Sequence, residues 1–311
     1  LYHLKKRPII YGLIYKFLNP HGFLYFKADT SSPEITFRVA RAFLPVRLAI
    51  TFLGNKAIEK ADLVSVETTA VLRDIEKVPP AKRLLVPNAF DEDWARGRGL
   101  RLKSFEEKED LLICVGRHGD RSKNSELLLD ALRQIDIGQW HTVFVGSATP
   151  DFTARLESLL HDRPQHRPRV RACGYVADKK ELFEWYNRAK IICLPSRSDT
   201  LPIVLVEAIY FGCVIVTTDH LPASQDLTEN GTTGRLFRSE DSAGLASLLK
   251  GLINDRQEMK RLSLGAMKLS REKFLWPRHI NNLNDFIVRS RRGGSTVAPL
   301  ARPGTRTATI T

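Results

Sequence analysis

Little in this chain suits chemistry that needs soft ligands, disulfides or a lipid-spanning segment. Its 311 residues include four cysteines and two methionines. Cys114, Cys173, Cys193 and Cys213 each lie in or beside an apolar, strand-like stretch such as ICV or IICL, and none has metal-ligand spacing. They read as small core hydrophobes in a reducing compartment, which excludes a disulfide framework. Apolar runs are short: IVLV at 203–206 has core-element size, well below the ~20 residues of a membrane span. An acidic cluster of the DxD type is missing too. The group Asp91, Glu92 and Asp93 reads as a surface turn, so no metal and no cofactor are expected. The chain opens on Leu1 with no signal-peptide pattern, and the expectation is a cytoplasmic protein lacking its first segment.

Cations are plentiful. Lys and Arg number 48 against 35 Asp and Glu, for a formal charge of +13. Arg289, Arg291, Arg292, Arg302 and Arg306 fall in a closing stretch with no acid after Asp285. That stretch is rich in Gly, Pro, Ser and Thr and is expected to be disordered. A second basic zone is LKKRP near the start. A third sets Arg38, Arg41, Arg47, Lys56 and Lys60 among Phe43, Leu44, Leu48, Ile50 and Phe52. This zone reads either as basic amphipathic helices on the inner face of an anionic membrane or as solvated helix faces. Because much of the charge lies in the tail, no nucleic acid is expected as a partner.

From Asp110 onward, apolar strands alternate with amphipathic helices. The strands are LLICVGR, HTVFVGS, RVRACGYV, KIICLPS, VIVTTD and TGRLF. Helices are expected at 126–132, in FTARLESLL, in KKELFEWYNRA, after Pro202, and at 242–253 and 256–274. Continuous Val, Ile and Leu runs between helices predict a parallel sheet covered on both faces, a doubly wound α/β domain. Ahead of it, FLYFKAD, DLVSVET and RLLVPNAF predict three strands, with helical pattern between Glu34 and Lys60. Three strands are few for a complete α/β domain. ARGRGLRLKSFEEKED reads as a linker, and a last helix is expected over 276–289.

The segment SRSDTLPIVLVEAIYFG at 196–212 is the most informative. Pro202 suits the first position of a helix and Gly212 its stop. The helix is apolar apart from Glu207, so it should be buried, and a buried carboxylate needs a partner. Asp199 lies eight positions earlier, at the mouth of the same helix, where a helix N-terminus favours anions. Two carboxylates around an anion site suggest a polyol carrying phosphate, a nucleotide sugar. A second segment, VGRHGDRSKNSELLLDAL, puts Arg117 at a strand's end and Lys123 ahead of the next helix, an arrangement suited to a diphosphate. It lacks the spacing of a Walker loop or dinucleotide fingerprint. His118 and Asp120 read as loop residues.

In order and spacing, VGR with Lys123, then 173–219 from CGYVADKK to VIVTTD, then NGTTGRLF, resemble the family 4 glycosyltransferases of the GT-B fold. VPNAF near Pro87 also fits. The resemblance runs from about Asp110 to Phe274. It implies two Rossmann-like doubly wound domains facing across a cleft, the first incomplete here. The expected divisions are 1–107 on the acceptor side, 108–274 for the nucleotide sugar, a helix 275–290 returning to the first domain, and a basic tail 291–311.

The resemblance further implies that Arg117 and Lys123, with Gly116 beside them, hold the donor diphosphate. Glu207 binds the ribose hydroxyls. Asp199 faces the donor sugar where the family usually has Glu, which shortens the arm by one methylene. Thr200 and Leu201 offer backbone N–H groups to the distal phosphate, beside Ser196. Tyr175 and Val176 lie where the family contacts the base, and an ordinary strand end remains the other reading. On the acceptor side Asp29 is the candidate for a sugar or acceptor hydroxyl and Lys27 for phosphate, with a surface strand end as alternative. The implied enzyme is a retaining hexosyltransferase. It moves a sugar from a UDP- or GDP-sugar to a cell-envelope glycan or lipid-linked acceptor, with Asp199, Arg117, Lys123 and Asp29 as catalytic candidates. A nucleotide-sugar epimerase and a non-catalytic sugar-nucleotide or anionic-surface binding module are the competing classes.

Overall fold

The apolar runs build two parallel sheets. The computed structural model describes residues 6–29, 44–75 and 78–291. Arg38, Arg41, Phe43 and the tail from 292 lie outside the described residues, as do the side chains of Leu44, Arg47, Leu48 and Ile50. The first part runs α1 (Lys6–Leu18), β1 (Tyr25–Ala28), α2 (Leu44–Lys60), β2 (Leu63–Val66), α3 (Thr69–Asp74), β3 (Arg83–Leu85) and α4 (Glu92–Gly97). Its strands pair in the order β1-β2-β3, with Phe26 opposite Val64 and Val66 opposite Leu85. Phe26, Val64, Val66, Ala57 and Ile58 form its core.

The second part begins with β4 (Glu109–Val115), α5 (Glu126–Leu132), β5 (His141–Val145), α6 (Pro150–Asp162), β6 (Val170–Gly174) and α7 (Lys179–Arg188). It continues through β7 (Ala189–Leu194), α8 (Ile203–Tyr210), β8 (Val214–Thr218), α9 (Ser224–Thr228) and β9 (Gly234–Phe237). Helices α10 (Ser242–Asn254), α11 (Arg256–Lys273) and α12 (Trp276–Arg291) follow. The strand order is β6-β5-β4-β7-β8-β9. Side chains alternate across this sheet. Leu111, Ile113 and Val115 of β4 enter one apolar cluster, and Leu112 and Cys114 enter the other. Ile192 and Leu194 of β7 divide from Ile191 and Cys193 in the same way. Both faces are therefore covered, as the unbroken apolar strands predict. Side chains of Thr149, Asp178, Asp241 and Asp255 accept from backbone N–H groups and start α6, α7, α10 and α11.

Several local expectations are corrected. Asp91, Glu92 and Asp93 are no surface turn: Asp91 caps α4 by accepting from Trp94 N, and the two acids after it fill the first turn, where the helix dipole favours them. Pro202 occupies the cap position (φ −62°, ψ 112°), one residue outside α8. Burial of α8 is complete only from Leu205; Ile203 is half exposed. Helix α1 has no counterpart among the sequence expectations: KRPIIYGLIYKFL has no polar face to mark it as a surface helix. The last helix continues two residues further than expected, to Arg291.

The chain crosses between the two parts near Phe90. Phe90 N donates to Phe274 O at 2.7 Å and Trp276 N to Phe90 O at 3.3 Å. The Phe90 ring stacks on Tyr210 at 4.0 Å and meets Phe211 edge-on at 5.5 Å. From there α12 returns toward β1, where Lys27 Nζ lies 5.8 Å from the Trp276 ring. Elsewhere Thr69 N donates to Asp226 Oδ2 at 2.7 Å and ties α3 to α9.

Glycines end three adjacent strands of the larger sheet. Gly116 N donates to Val145 O at 3.0 Å and Gly146 N to Gly174 O at 2.9 Å. Gly146 has φ +137°, and a Cβ there would sit 1.8 Å from Gly116 O. In contrast, a Cβ on Gly251, inside α10, would meet nothing within 4 Å. Gly146→Ala is therefore expected to lower the unfolding free energy by about 1–3 kcal/mol, and Gly251→Ala to raise it by about 0.4–1 kcal/mol. Urea denaturation of the two variants checks the opposite signs.

Candidate functional site

In a parallel sheet with strand order 3-2-1-4-5-6, the two central strands send their crossovers to opposite faces and leave a crevice at their carboxyl ends. Here that pair is β4 and β7. The loop after β4 carries Gly116, Arg117 and Lys123, and the loop after β7 carries Ser196, Asp199, Thr200 and Leu201. Asp120 shapes the first loop. Its Oδ1 accepts from Ser122 N at 2.8 Å, and its backbone oxygen accepts from Lys123 N at 2.9 Å. Arg197 N donates to Ser122 O at 2.8 Å and joins the two loops.

The junction aligns one ion pair. Lys123 Nζ donates to both carboxylate oxygens of Asp199, at 2.8 and 2.9 Å, with both side chains largely shielded from water. Arg117 stands two residues past β4, mostly exposed, and pairs with Asp120 at 2.7 Å. Arg117 and Ser122 together hold the Asp120 carboxyl below its usual range, the bonds from Ser122 having the larger effect.

His118 is not the plain loop residue expected. It is buried, lies face to face with Phe152 at 5.0 Å and shares a hydrogen bond with Ser125 Oγ at 2.9 Å. Burial lowers its pKa to about 4, so it packs as a neutral ring.

One turn inside α8, Glu207 is buried and meets two partners from α7. Tyr186 Oη donates to Oε2 at 3.1 Å, and Lys179 Nζ lies 3.7 Å from Oε1. Burial raises the Glu207 pKa, opposed first by the Lys179 charge and then by the Tyr186 hydrogen bond. Tyr186 is held far above the usual phenol range by its own burial and by the carboxylate beside it.

The remaining expected residues are dispersed. Ser196 Oγ is buried with no hydrogen-bond partner among the described residues, and a buried hydroxyl of that kind is suited to a ligand. The Leu201 side chain belongs to the core, so only its backbone is available to a ligand. Val176 packs against the same core, whereas Tyr175 is 78% exposed just past Gly174. Asp29 lies on the other sheet at the exit of β1 and does not join the Lys123–Asp199 pair. Lys27 is drawn inward, donating to Asn88 Oδ1 at 2.9 Å and pairing with Glu67 at 3.1 Å. Tyr186 and Lys179 were missed in the sequence reading. The signal was the demand of a buried Glu for partners, but nothing in KKELFEWY says which residues meet it.

The site can thus offer two cations, two carboxylates and a helix N-terminus to one polar, anionic ligand. It also sets a pH dependence. A carboxyl whose folded pKa lies above its unfolded value binds more protons when folded, so its contribution to stability falls as pH rises past 4.5. Glu207→Gln is accordingly expected to be at least as stable as the parent chain at pH 7.5, with the difference vanishing near pH 4. Thermal unfolding at the two pH values checks this.

Residues 109–255 match the family described as Glycosyl transferases group 1. An α-1,4-N-acetyl-D-galactosaminyltransferase of Campylobacter jejuni, named for a GalNAc-containing diNAcBac-PP-undecaprenol substrate, is 29% identical over 186 residues, covering 60% of this chain and 48% of the relative. D-inositol 3-phosphate glycosyltransferase 1 of Catenulispora acidiphila is 28% identical over 253 residues, covering 77% and 57%. The chain spans about half the length of these relatives. Among solved structures, HepE of Anabaena in complex with UDP superposes with a TM-score of 0.70 at 20% identity, over 92% of this chain and 78% of that one. Sucrose-phosphate synthase of Thermosynechococcus elongatus gives 0.66 at 18%, over 94% and 73%. The fold is that of the GT-B glycosyltransferases, and residues 109–255, just under half of the chain, are similar to the glycosyl transferases group 1 family.

Proposed function

We propose that this chain carries the donor site of a retaining, nucleotide-sugar-dependent hexosyltransferase acting on a cell-envelope glycan or lipid-linked acceptor. The observation that carries the reading is the Lys123–Asp199 pair at the mouth of α8, with Glu207 buried one turn inside the helix. In this reading Arg117 leaves Asp120 for the donor diphosphate, Lys123 binds it from the other side, and Asp199 faces the sugar. Glu207 accepts from the ribose hydroxyls. Gly116, Ser196 and the backbone N–H groups of Thr200 and Leu201 line the phosphates, and Tyr175 and Val176 border the base. HepE has been solved with UDP and with UDP-glucose, and the C. jejuni relative is named for an undecaprenol-linked substrate. Both support a uridine nucleotide and a lipid-linked acceptor for this chain.

The chemistry follows the charge. The acceptor hydroxyl oxygen bonds to the anomeric carbon as the bond from that carbon to the diphosphate oxygen breaks. The electron pair stays on the leaving diphosphate, which also takes the hydroxyl proton. Negative charge grows there, where Arg117, Lys123 and the α8 N-terminus already stand, so the charge is met without a metal. Retention follows when the acceptor enters on the leaving-group face. Asp29, across on the first sheet, is assigned to the acceptor hydroxyl.

Calorimetry with UDP and GDP tests the donor site. One of them is expected to bind, with affinity falling about 10–100-fold in Lys123→Ala and in Arg117→Ala, the worth of a hydrogen bond to a charged group. Failure of both to bind the folded chain overturns the reading. Turnover of the matching nucleotide sugar separates a transferase from a binding module.

A lipid-linked acceptor also fits the surface of the first part. Ile10, Tyr11, Ile14, Tyr15, Phe17 and Leu18 of α1 are exposed, as are Phe52 and Leu53 of α2. Arg7, Lys56 and Lys60 are exposed on the same helices, and no helix among the described residues is long and apolar enough to cross a membrane. Apolar and aromatic side chains beside cations fit an anionic bilayer surface. Co-sedimentation with phosphatidylglycerol vesicles is expected, weakening at about 0.5 M salt as charges are screened and in Phe17→Ser. Equal binding to phosphatidylcholine vesicles, or self-association through this face instead, contradicts it.

A further inference from the structure

Glu207 stands out as a carboxylate in a helix that is otherwise Ile, Val, Leu, Ala and Tyr. Its two partners leave one helix, α7, seven residues apart. Seven residues are two turns, so both point from the same face. Tyr186 is fully buried and occupies Oε2. Lys179 is half exposed and stands 3.7 Å from Oε1, beyond ordinary hydrogen-bond length, so that oxygen keeps its capacity to accept. The ammonium is steered by aromatic faces, 5.1 Å from the Phe183 ring and 5.6 Å from that of Trp94. Trp94 sits on α4, and its other cationic neighbour is Arg98 at 3.8 Å.

We propose that Lys179 and Tyr186 are positioning residues for nucleoside recognition, fixing the Glu207 carboxylate so that Oε1 accepts hydrogen bonds from ribose. The inference rests on the reading of Glu207 as the ribose acceptor. An ionised carboxylate accepts from both hydroxyls of a ribose, whereas a protonated one carries a donor of its own and loses part of that capacity. Burial pushes Glu207 toward the protonated form, and Lys179 is the largest influence against it. Lys179 and Tyr186 are the charged or titratable groups acting on Glu207 among the described residues. Glu92 of α4 and Arg271 of α11 act instead on Tyr210, one turn further along α8. Removing the ammonium therefore leaves burial opposed by the Tyr186 hydrogen bond alone.

The test is calorimetric binding of UDP and 2′-deoxy-UDP to the full chain between pH 6 and 8.5. The parent chain should prefer UDP by about tenfold. Lys179→Met should weaken that preference, and more at the acid end of the range than at the alkaline end, because protonation removes acceptor capacity. Lys179→Arg should restore the parent profile. Tyr186→Phe, which preserves the packing, should reduce the preference throughout. A Lys179→Met chain whose preference matches the parent at every pH, while Glu207→Gln loses it, overturns the inference and leaves the ribose reading standing. A parent chain indifferent to the 2′-hydroxyl overturns both.

Discussion

Every strand of a parallel sheet ends on the same edge, and that constraint organises the molecule. Because β4 and β7 are central neighbours whose helices leave to opposite faces, their two loops must open side by side. Residues 76 positions apart, Lys123 and Asp199, meet there as an ion pair. The apolar clusters on the two faces of the sheet hold the strand ends rigid. The loops carry the polar groups, and His118 and Leu201 pin each loop to the core.

The polar groups are costly where they stand, and the surroundings show how the cost is met. Asp199 is largely shielded and paired with a lysine. Glu207, more deeply buried, has a hydroxyl and an ammonium. Ser196 Oγ keeps no partner among the described residues. A site with paired charges and an unmet hydroxyl is prepared for a polar ligand, which then exchanges one set of contacts for another.

Much of the larger sheet was legible in the sequence. Strands buried on both faces have no alternation to obscure them, so IICL and VIVTT stand out, and the turn of KNSELLLDAL into a helix at Glu126 follows from its polar start and apolar continuation. The partner contacts were not legible. The sequence suits Lys123 to phosphate and carries no sign that it holds Asp199. Lys27, expected to face a ligand, is taken up by Asn88 and Glu67, which lie on neighbouring strand ends 61 and 40 positions away. Such pairings depend on which strands become neighbours, and no local pattern records that. Helix α1 escaped because its pattern lacks a polar face, the usual mark of a surface helix.

A structure of this chain with UDP bound decides whether the crevice at the β4 and β7 ends is the donor site. The diphosphate is expected within hydrogen-bond reach of Arg117 and Lys123, with Arg117 released from Asp120, and the ribose hydroxyls on Glu207. A nucleotide seated elsewhere, or one lying in the crevice with Arg117 still on Asp120 and no contact to Glu207, would contradict it.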